Sequence, residues 1–457
     1  LPERSCYPFP AENPVYKSPS CVSSYIPVSD LYARFTSHPS VCTDTRSLTP
    51  GCLFFALKGP SFNGNRFAGK ALDSGAAYAI VDEPDAVVSD RCLLVEDVLT
   101  ALQELALFHR RSLSIPVLAI TGSNGKTTTK ELVRAVLSRK YRTLATKGNL
   151  NNHIGVPLTL LTITPETEFA VIEMGANHQG EIASYCRIAE PDYGLITNVG
   201  LAHLEGFGGF EGVKKGKGEL YAFLSGHGKT VFLNGDNPHL SEMARARGTV
   251  DLYRYGTDKD FDCCGALVNE HPFLAVRWDC KGRTGQVATQ LVGVYNFENI
   301  LSAIAVGDRF GVAPEQIADA ISNYNPDNSR SQLIRKGDNT VLLDAYNANP
   351  TSMEAALKNF SAMSGPRKSV CIGDMAELGE ESEKEHERIA GLVAACGFDQ
   401  VVLVGKQFGK FASRMACIHF DDSEKAAAWV SAHPFKGATV LIKGSRSTRM
   451  ERILDVM

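Results

Sequence analysis

The sequence predicts an α/β protein of three domains: a small α/β N-terminal domain, a central P-loop domain with a parallel sheet, and a C-terminal Rossmann-like α/β domain. Three observations predict this. The chain has 457 residues, too many for one ordinary domain and enough for about three. Short apolar runs alternate with amphipathic stretches, as buried parallel strands and crossover helices require. One such run, IPVLAI (115–120), leads straight into TGSNGKTTTK, where a glycine loop opens a helix.

Taken in order, the first 25 residues are rich in Pro and Ser and lack both an apolar period and the basic and apolar regions of a signal peptide. They are expected to be a disordered leader. The segment 26–112 reads as a small α/β domain, with strands at CLFFAL (52–57) and AAYAIVD (76–82). Its helix is VLTALQELALFHR, apolar at Val98, Leu102, Leu105 and Ala106. The central domain spans 113–327. After the loop, Leu132, Val133, Val136 and Leu137 fall at helical spacing, and FAVIEMG (169–175) and YGLITNVG (193–200) read as buried strands. Alternation in FLAVRWDC and GQVATQLVG suggests a small antiparallel extension, followed by the helix NILSAIAVGDRF. In 328–457 four more strands, TVLLDAY, KSVCIGD, QVVLVG and ATVLIKG, alternate with helices as a second doubly wound unit.

A net charge of -4 gives no sign of a nucleic-acid or membrane surface, and no apolar run is long enough to cross a bilayer. The twelve cysteines are scattered, without a CxxC pair. Reduced thiols in a cytoplasmic protein are the expectation.

The glycine loop carries the clearest chemistry. Gly122, Ser123, Asn124 and Gly125 let backbone N–H groups approach phosphate oxygens at a helix N-terminus. Lys126 would reach the β- and γ-phosphates, and Thr127, followed by Thr128, would ligate Mg²⁺. Gly122 and Gly125 enclose two residues rather than the usual four, which argues against an ordinary GTPase or motor. Ligands of open α/β sheets bind beyond the carboxyl ends of strands. Glu173 and His203 stand at such ends as candidate metal ligands; either could equally be a cap, an ion-pair partner or a packed residue. Three lysines crowd EGVKKGKGELYAFL, where Lys217 could belong to a solvated turn, be neutral, or be modified to an anion. DAYNANPTSM joins a strand to a helix. Asp344 there could be a ligand, while Asn347 and Asn349 could be Asx-turn and cap residues. Lys443, Arg446 and Arg449 lie at a similar turn, suited to an anionic substrate or to solvent.

These pieces resemble the Mur ligase family of ATP-dependent amide-forming enzymes. TGSNGKTTT is similar to that family's phosphate loop, displaced glycine included. The likeness covers about 26–457 and is carried further by NLNNHIGVPLTLL, VIEMGANHQGEI, DAYNANPTSM, GDMAELGEES and VLIKGSRSTRMERI. It implies a UDP-sugar domain, an ATP and Mg²⁺ domain with two ions, and a third domain for the incoming amino component. DAYNANP points to the branch that joins D-alanyl-D-alanine to a UDP-N-acetylmuramoyl-tripeptide.

The resemblance assigns Thr45, Arg46 and Lys58 to the UDP-substrate, and Asn151, Asn152, Asn349, Lys443 and Arg446 to the substrates generally. Thr127, Glu173, His203 and a carbamylated Lys217 become the metal ligands. Asn296 and Asn299 fall on the adenine side, preceded by Tyr295 where relatives often carry His. Arg330, preceded by Ser329 rather than glycine, would reach ATP phosphates across a domain gap, with Asp344, Tyr346 and Asn347 facing the cleft. Lys126, Lys217, His203 and Arg330 are the expected catalytic set. A monomer that closes around its substrates is expected, with no nucleic-acid partner and no stable membrane association. The rivals are a third-residue-adding relative, a folylpolyglutamate synthase and, from another class, a P-loop NTPase switch.

Overall fold

The computed structural model describes residues 25–249, 251–326 and 330–457. The expected leader lies almost wholly outside the described residues. The chain divides into two compact units, one up to Ala101 and one from Leu102 to Met457.

The first unit holds a parallel four-stranded sheet. Its strands are β1 (Val41–Cys42), β2 (Leu53–Phe55), β5 (Tyr78–Val81) and β6 (Cys92–Leu94), in that spatial order. A separate hairpin pairs β3 (Lys58–Gly59) with β4 (Phe62–Asn63). Cys52, Phe54, Ala56, Ala79 and Val81 fill the core. The runs CLFFAL and AAYAIVD become β2 and β5. The two-residue β1 is too short for any periodicity to show.

The second unit has two sheets, each with its own core. The larger contains β7 (Val117–Thr121), β8 (Thr143–Ala145), β9 (Phe169–Glu173), β10 (Tyr193–Ile196), β11 (Thr230–Asn234) and β12 (Leu252–Gly256). It continues through β13 (Cys263–Asn269), β14 (Ala275–Cys280) and β15 (Arg283–Ala288). The order is β15-β14-β13-β12-β11-β10-β7-β9-β8. β13, β14 and β15 pair antiparallel, and the rest pair parallel. The alternation in 273–293 thus becomes the antiparallel extension it predicts. The run from β7 to β12 is apolar on both faces because helices cover both. The helix Asn296–Arg309 packs on the loop's own helix, Lys126–Leu137, through Ile300, Ala303 and Ile304.

The second sheet contains β16 (Gln332–Lys336), β17 (Asn339–Asp344), β18 (Lys368–Gly373), β19 (Gln400–Val404), β20 (Ile418–Phe420) and β21 (Thr439–Lys443). Its order is β16-β17-β21-β18-β19-β20, parallel apart from the β16–β17 pair. β17 and β21 are neighbours, so the DAYNANP and KGSRSTR turns leave the sheet side by side.

One expectation is corrected here. Cys263 and Cys280, taken as reduced thiols, form a disulfide. They face each other because the β13–β14 register sets Cys264 opposite Asp279. No local spacing announces that pairing. Eight other described cysteines are free. Among the described residues no helix is long and apolar enough to cross a membrane.

Candidate active site

The glycine loop follows β7 and opens the helix Lys126–Leu137. Gly122 and Gly125 have φ of +144° and +78°, a region that side chains disfavour. Space is as restrictive as conformation. A Cβ on Gly122 would collide with the Thr197 hydroxyl, and one on Gly125 would lie 2.5 Å from Asn299 Oδ1. The loop is held from the next strand end. The Ser123 N–H donates to Asn198 O (3.0 Å), the Asn124 N–H to Asn198 Oδ1 (3.0 Å), and Thr197 Oγ1 donates to Asn124 O (2.6 Å).

Lys126 curls back over this loop and donates to Gly122 O (2.7 Å) and Ser123 O (3.2 Å). Protein surrounds its ammonium deep in the cavity, although some solvent contact remains. Burial pulls its pKa down to about 8, opposed by Glu173 and reinforced by Arg330.

Glu173, at the end of β9, is buried and is the node of the site. Its Oε1 accepts from Thr127 Oγ1 (3.2 Å) and Asn151 Nδ2 (2.8 Å). Its Oε2 is buried with no hydrogen-bond partner and stands 3.6 Å from Lys130 Nζ. A buried carboxylate oxygen without a donor is costly and is the atom a hard cation takes. Thr127 and Glu173 therefore fit a Mg²⁺ ion at the phosphate end. Among the described residues no group of three or more His, Cys, Asp and Glu side chains could hold a metal by itself.

A cavity of about 690 Å³ opens over the loop. It brings together Ser123 to Thr128, Asn151, Asn152, Glu173, His203, Asn296, Asn299, Arg330, Asp344, Tyr346, Asn347, Asn349 and Lys443. Most of the expected site residues thus share one wall, although they come from both sheets of the second unit. Asn296 and Asn299 are buried and joined (2.9 Å), and Asn299 Oδ1 also accepts from Thr129 Oγ1 (3.0 Å). They brace the loop as well as facing the cavity. The Arg330 guanidinium stacks 3.6 Å over the Tyr346 ring, and its Nε is buried without a partner. Tyr295, where relatives often carry His, bonds Ser331 Oγ at 2.8 Å. Lys443 pairs with Asp344 at 2.5 Å. Asn349 caps the helix Pro350–Ala362, and its Nδ2 donates to Asn124 Oδ1 (2.8 Å).

In the second unit, Lys217, Arg446 and Arg449 are not among the residues that line this cavity. Lys217 is fully buried behind it, donates to Ala176 O (3.2 Å) and lies 5.0 Å over the Phe207 ring. Burial holds its pKa well below the ordinary lysine value, with Lys126 adding to the shift and Glu181 and Glu219 opposing it. Arg446 is exposed and pairs with Glu451 at 2.9 Å; Arg449 is also exposed. In the first unit, Arg46 is exposed and paired with Asp44 (2.6 Å), Lys58 pairs with Asp82 (3.0 Å), and Thr45 begins a short 3₁₀ turn.

Sequence reasoning missed several residues that shape the site. Lys130 is fully buried beside Glu173 and donates to Thr146 O at 2.5 Å. Thr197 and Asn198 hold the loop, and Glu377 meets His203. A polar pair closing a strand, TN in LITN, was the available signal for the first two. Lys130 and Glu377 carry none, because their partners are distant in sequence.

A glycine phosphate loop, a buried carboxylate beside its threonine, and a second α/β sheet closing the cavity define a nucleotide-dependent enzyme that works on more than one substrate. Three family models match the chain: Mur ligase family, catalytic domain, at 39–110; Mur ligase middle domain at 120–307; and Mur ligase, glutamate ligase domain, at 329–446. The chain is 39% identical over 427 residues to the UDP-N-acetylmuramoyl-tripeptide–D-alanyl-D-alanine ligase of Escherichia coli, covering 92% of this chain and 93% of that one. Among solved structures it is similar to MurF from Acinetobacter baumannii, with a TM-score of 0.83, 31% identity and 91% and 92% of the two chains covered. It is also similar to the MurF ligase of Thermotoga maritima in complex with ADP, with a TM-score of 0.80, 27% identity and 91% and 96% covered. The chain belongs to the Mur ligase family, whose members are ATP-dependent ligases.

The loop geometry makes one substitution informative. Gly125→Ala forces a side chain into positive φ against Asn299, a strain of about 1–3 kcal/mol. ATP affinity, read by titration with a fluorescent analogue, is expected to fall roughly tenfold or more. Wild-type affinity in that variant would show that the loop does not cradle phosphate.

Proposed function

We propose that the protein joins D-alanyl-D-alanine to UDP-N-acetylmuramoyl-tripeptide, forming the UDP-muramoyl-pentapeptide used to build peptidoglycan, with conversion of ATP to ADP and phosphate. The observation that carries this reading is the cavity shared by the glycine loop and the DAYNANP turn, joined by the Asn349–Asn124 hydrogen bond. Such a cavity suits an enzyme that must bring a nucleotide and an amino component to one carboxylate.

The chemistry follows from a poor leaving group. The tripeptide's terminal carboxylate attacks the γ-phosphorus of ATP, the bond to the β-phosphate oxygen breaks, and ADP leaves. The neutral amine of the dipeptide then attacks the acyl phosphate carbon and loses a proton. The tetrahedral adduct collapses to an amide and expels phosphate. Lys126 and the loop N–H groups would hold the transferring phosphoryl group. Arg330 fits the same task from the other side, since its Nε has no partner in the protein. Asn296 and Asn299 would line the nucleoside end. Asp344, Tyr346 and Asn347 would face the nucleotide from the third domain, and Asn151, Asn152, Asn349, Lys443 and Arg446 would serve the substrates. Thr45, Arg46 and Lys58 would bind the UDP moiety. The third-domain carboxylates, or His203 where it holds no metal, are candidates to take the amine's proton.

Thr127 and Glu173 would hold one Mg²⁺ ion, with His203 and a carbamylated Lys217 as the further ligands, and the metal charge would offset that of the phosphates. Lys217 serves only as an anion. Its desolvated amine favours the neutral form, which attacks CO₂ to give a carbamate and releases one proton. The first part of the chain, about 26–112, would act as the UDP-substrate domain, 113–327 as the ATP domain and 328–457 as the dipeptide domain. We assign the protein to the cytoplasm, where ATP and a UDP-linked precursor meet, as a monomer with no nucleic-acid or stable membrane partner.

Phosphate release from ATP, with product mass recorded, tests the reaction. Release is expected to require both the UDP-tripeptide and D-Ala-D-Ala, and the product is expected to gain one dipeptide less water. Steady hydrolysis indifferent to both would leave only a nucleotide switch. For Lys217, ¹³C NMR of the protein equilibrated with ¹³C-bicarbonate is expected to show a carbamate resonance that Lys217→Arg abolishes. An unchanged spectrum in that variant would remove the carbamate from the account.

A further inference from the structure

His203 and Glu377 meet across the second unit's two sheets. His203 follows β10 and lines the cavity; Glu377 follows β18, on the other sheet. Its carboxylate Oε2 lies 2.5 Å from His203 Nδ1. Nδ1 is buried, and the Glu377 carboxylate is its close neighbour. The backbones touch as well, with the Glu205 N–H donating to Glu377 O at 3.4 Å.

Both residues sit at positive φ, +54° for His203 and +63° for Glu377. Histidine is among the side chains that tolerate this region and glutamate is not, so the conformation of Glu377 is the one its surroundings must hold. The surroundings here do. On the Glu377 side, the Met375 N–H donates to His386 Nε2 (3.0 Å) and the Ala376 N–H to Ser445 Oγ (2.8 Å). Asp374 O accepts from the Ser445 N–H (3.1 Å), and Ser445 Oγ donates in turn to Ala348 O (3.2 Å). The loop that presents Glu377 is therefore tied to the DAYNANP turn, which itself reaches Asn124 through Asn349. A glutamate held at positive φ, on a loop anchored to the turn that touches the glycine loop, is more than a surface contact needs.

We propose that Glu377 is a positioning residue: it fixes the ring of His203 through Nδ1 and so sets the reactive face of that histidine when the C-terminal sheet docks. A carboxylate at one ring nitrogen fixes orientation and tautomer and leaves the other nitrogen for the site. Glu377 touches no reacting atom. Its effect passes through His203, and docking of the second sheet supplies it. The inference rests on the ligase reading for its kinetic consequence but not for its structural one.

The test uses the full chain with Glu377→Ala and Glu377→Gln. In Glu377→Ala, kcat is expected to fall roughly tenfold or more while KM for ATP changes by less than about threefold, as for loss of a residue orienting a site histidine. Glu377→Gln keeps an acceptor oxygen at the same reach and is expected to lose less; it also carries the test where the alanine variant fails to fold. Hydrogen exchange of residues 201–209 without substrates is expected to quicken in Glu377→Ala. A kcat within about twofold of wild type, or unchanged exchange in that segment, overturns the proposal. If the wild-type chain makes no amide product, the ligase reading fails by itself, and the exchange comparison still decides whether Glu377 holds the His203 segment.

Discussion

The site depends on the close approach of the glycine loop to the strand end beside it. Thr197 and Asn299 stand where side chains at Gly122 and Gly125 would have to go. The same two residues bond the loop and its helix, through Asn124 O and Thr129 Oγ1. Contact and restraint are thus one arrangement. The loop is clamped from both flanks: the Ser123 and Asn124 N–H groups are engaged by Asn198, so the N–H groups that remain for a phosphate are those at the start of the helix Lys126–Leu137.

Around that loop the protein buries charge that it does not fully neutralise. Glu173 keeps one oxygen without a donor and Arg330 one nitrogen without an acceptor. Unpaired buried charge destabilises a fold. Here Glu173 and Arg330, opposite in sign, line one cavity. Lys130 balances the cluster from behind: it is fully enclosed, 3.0 Å from Glu131 and 3.6 Å from Glu173.

The strand-loop-helix unit was legible because strand, glycines and helix are contiguous, and periodicity reports buried faces directly. The antiparallel extension was legible from alternation alone. Sheet order was not: β7 lies between β10 and β9, and only that neighbourhood brings Thr197 to Gly122. The residues IEMG and LITN each marked a strand end, but which loop they would face is a tertiary fact. The same holds for Lys130, which reads as an exposed helical lysine, and for the Cys263–Cys280 pair, set by strand register. Arg446 shows the converse. Its strand-to-helix turn was read as similar in shape to DAYNANP, and strand pairing sets the two side by side, yet Arg446 is exposed and paired with Glu451. Lys443, three residues earlier and inside β21, stays in the cavity.

The central claim is that one carboxylate of the UDP-tripeptide becomes an acyl phosphate before the amide forms. Isotope transfer reads this directly. With ¹⁸O in both oxygens of the terminal carboxylate, turnover with ATP and D-Ala-D-Ala must deliver one ¹⁸O to the released phosphate and leave the other in the new amide. Mass spectrometry of phosphate and product would show both. Phosphate free of ¹⁸O, with amide still formed, would contradict the acyl-phosphate route and detach the glycine loop from the bond-forming step.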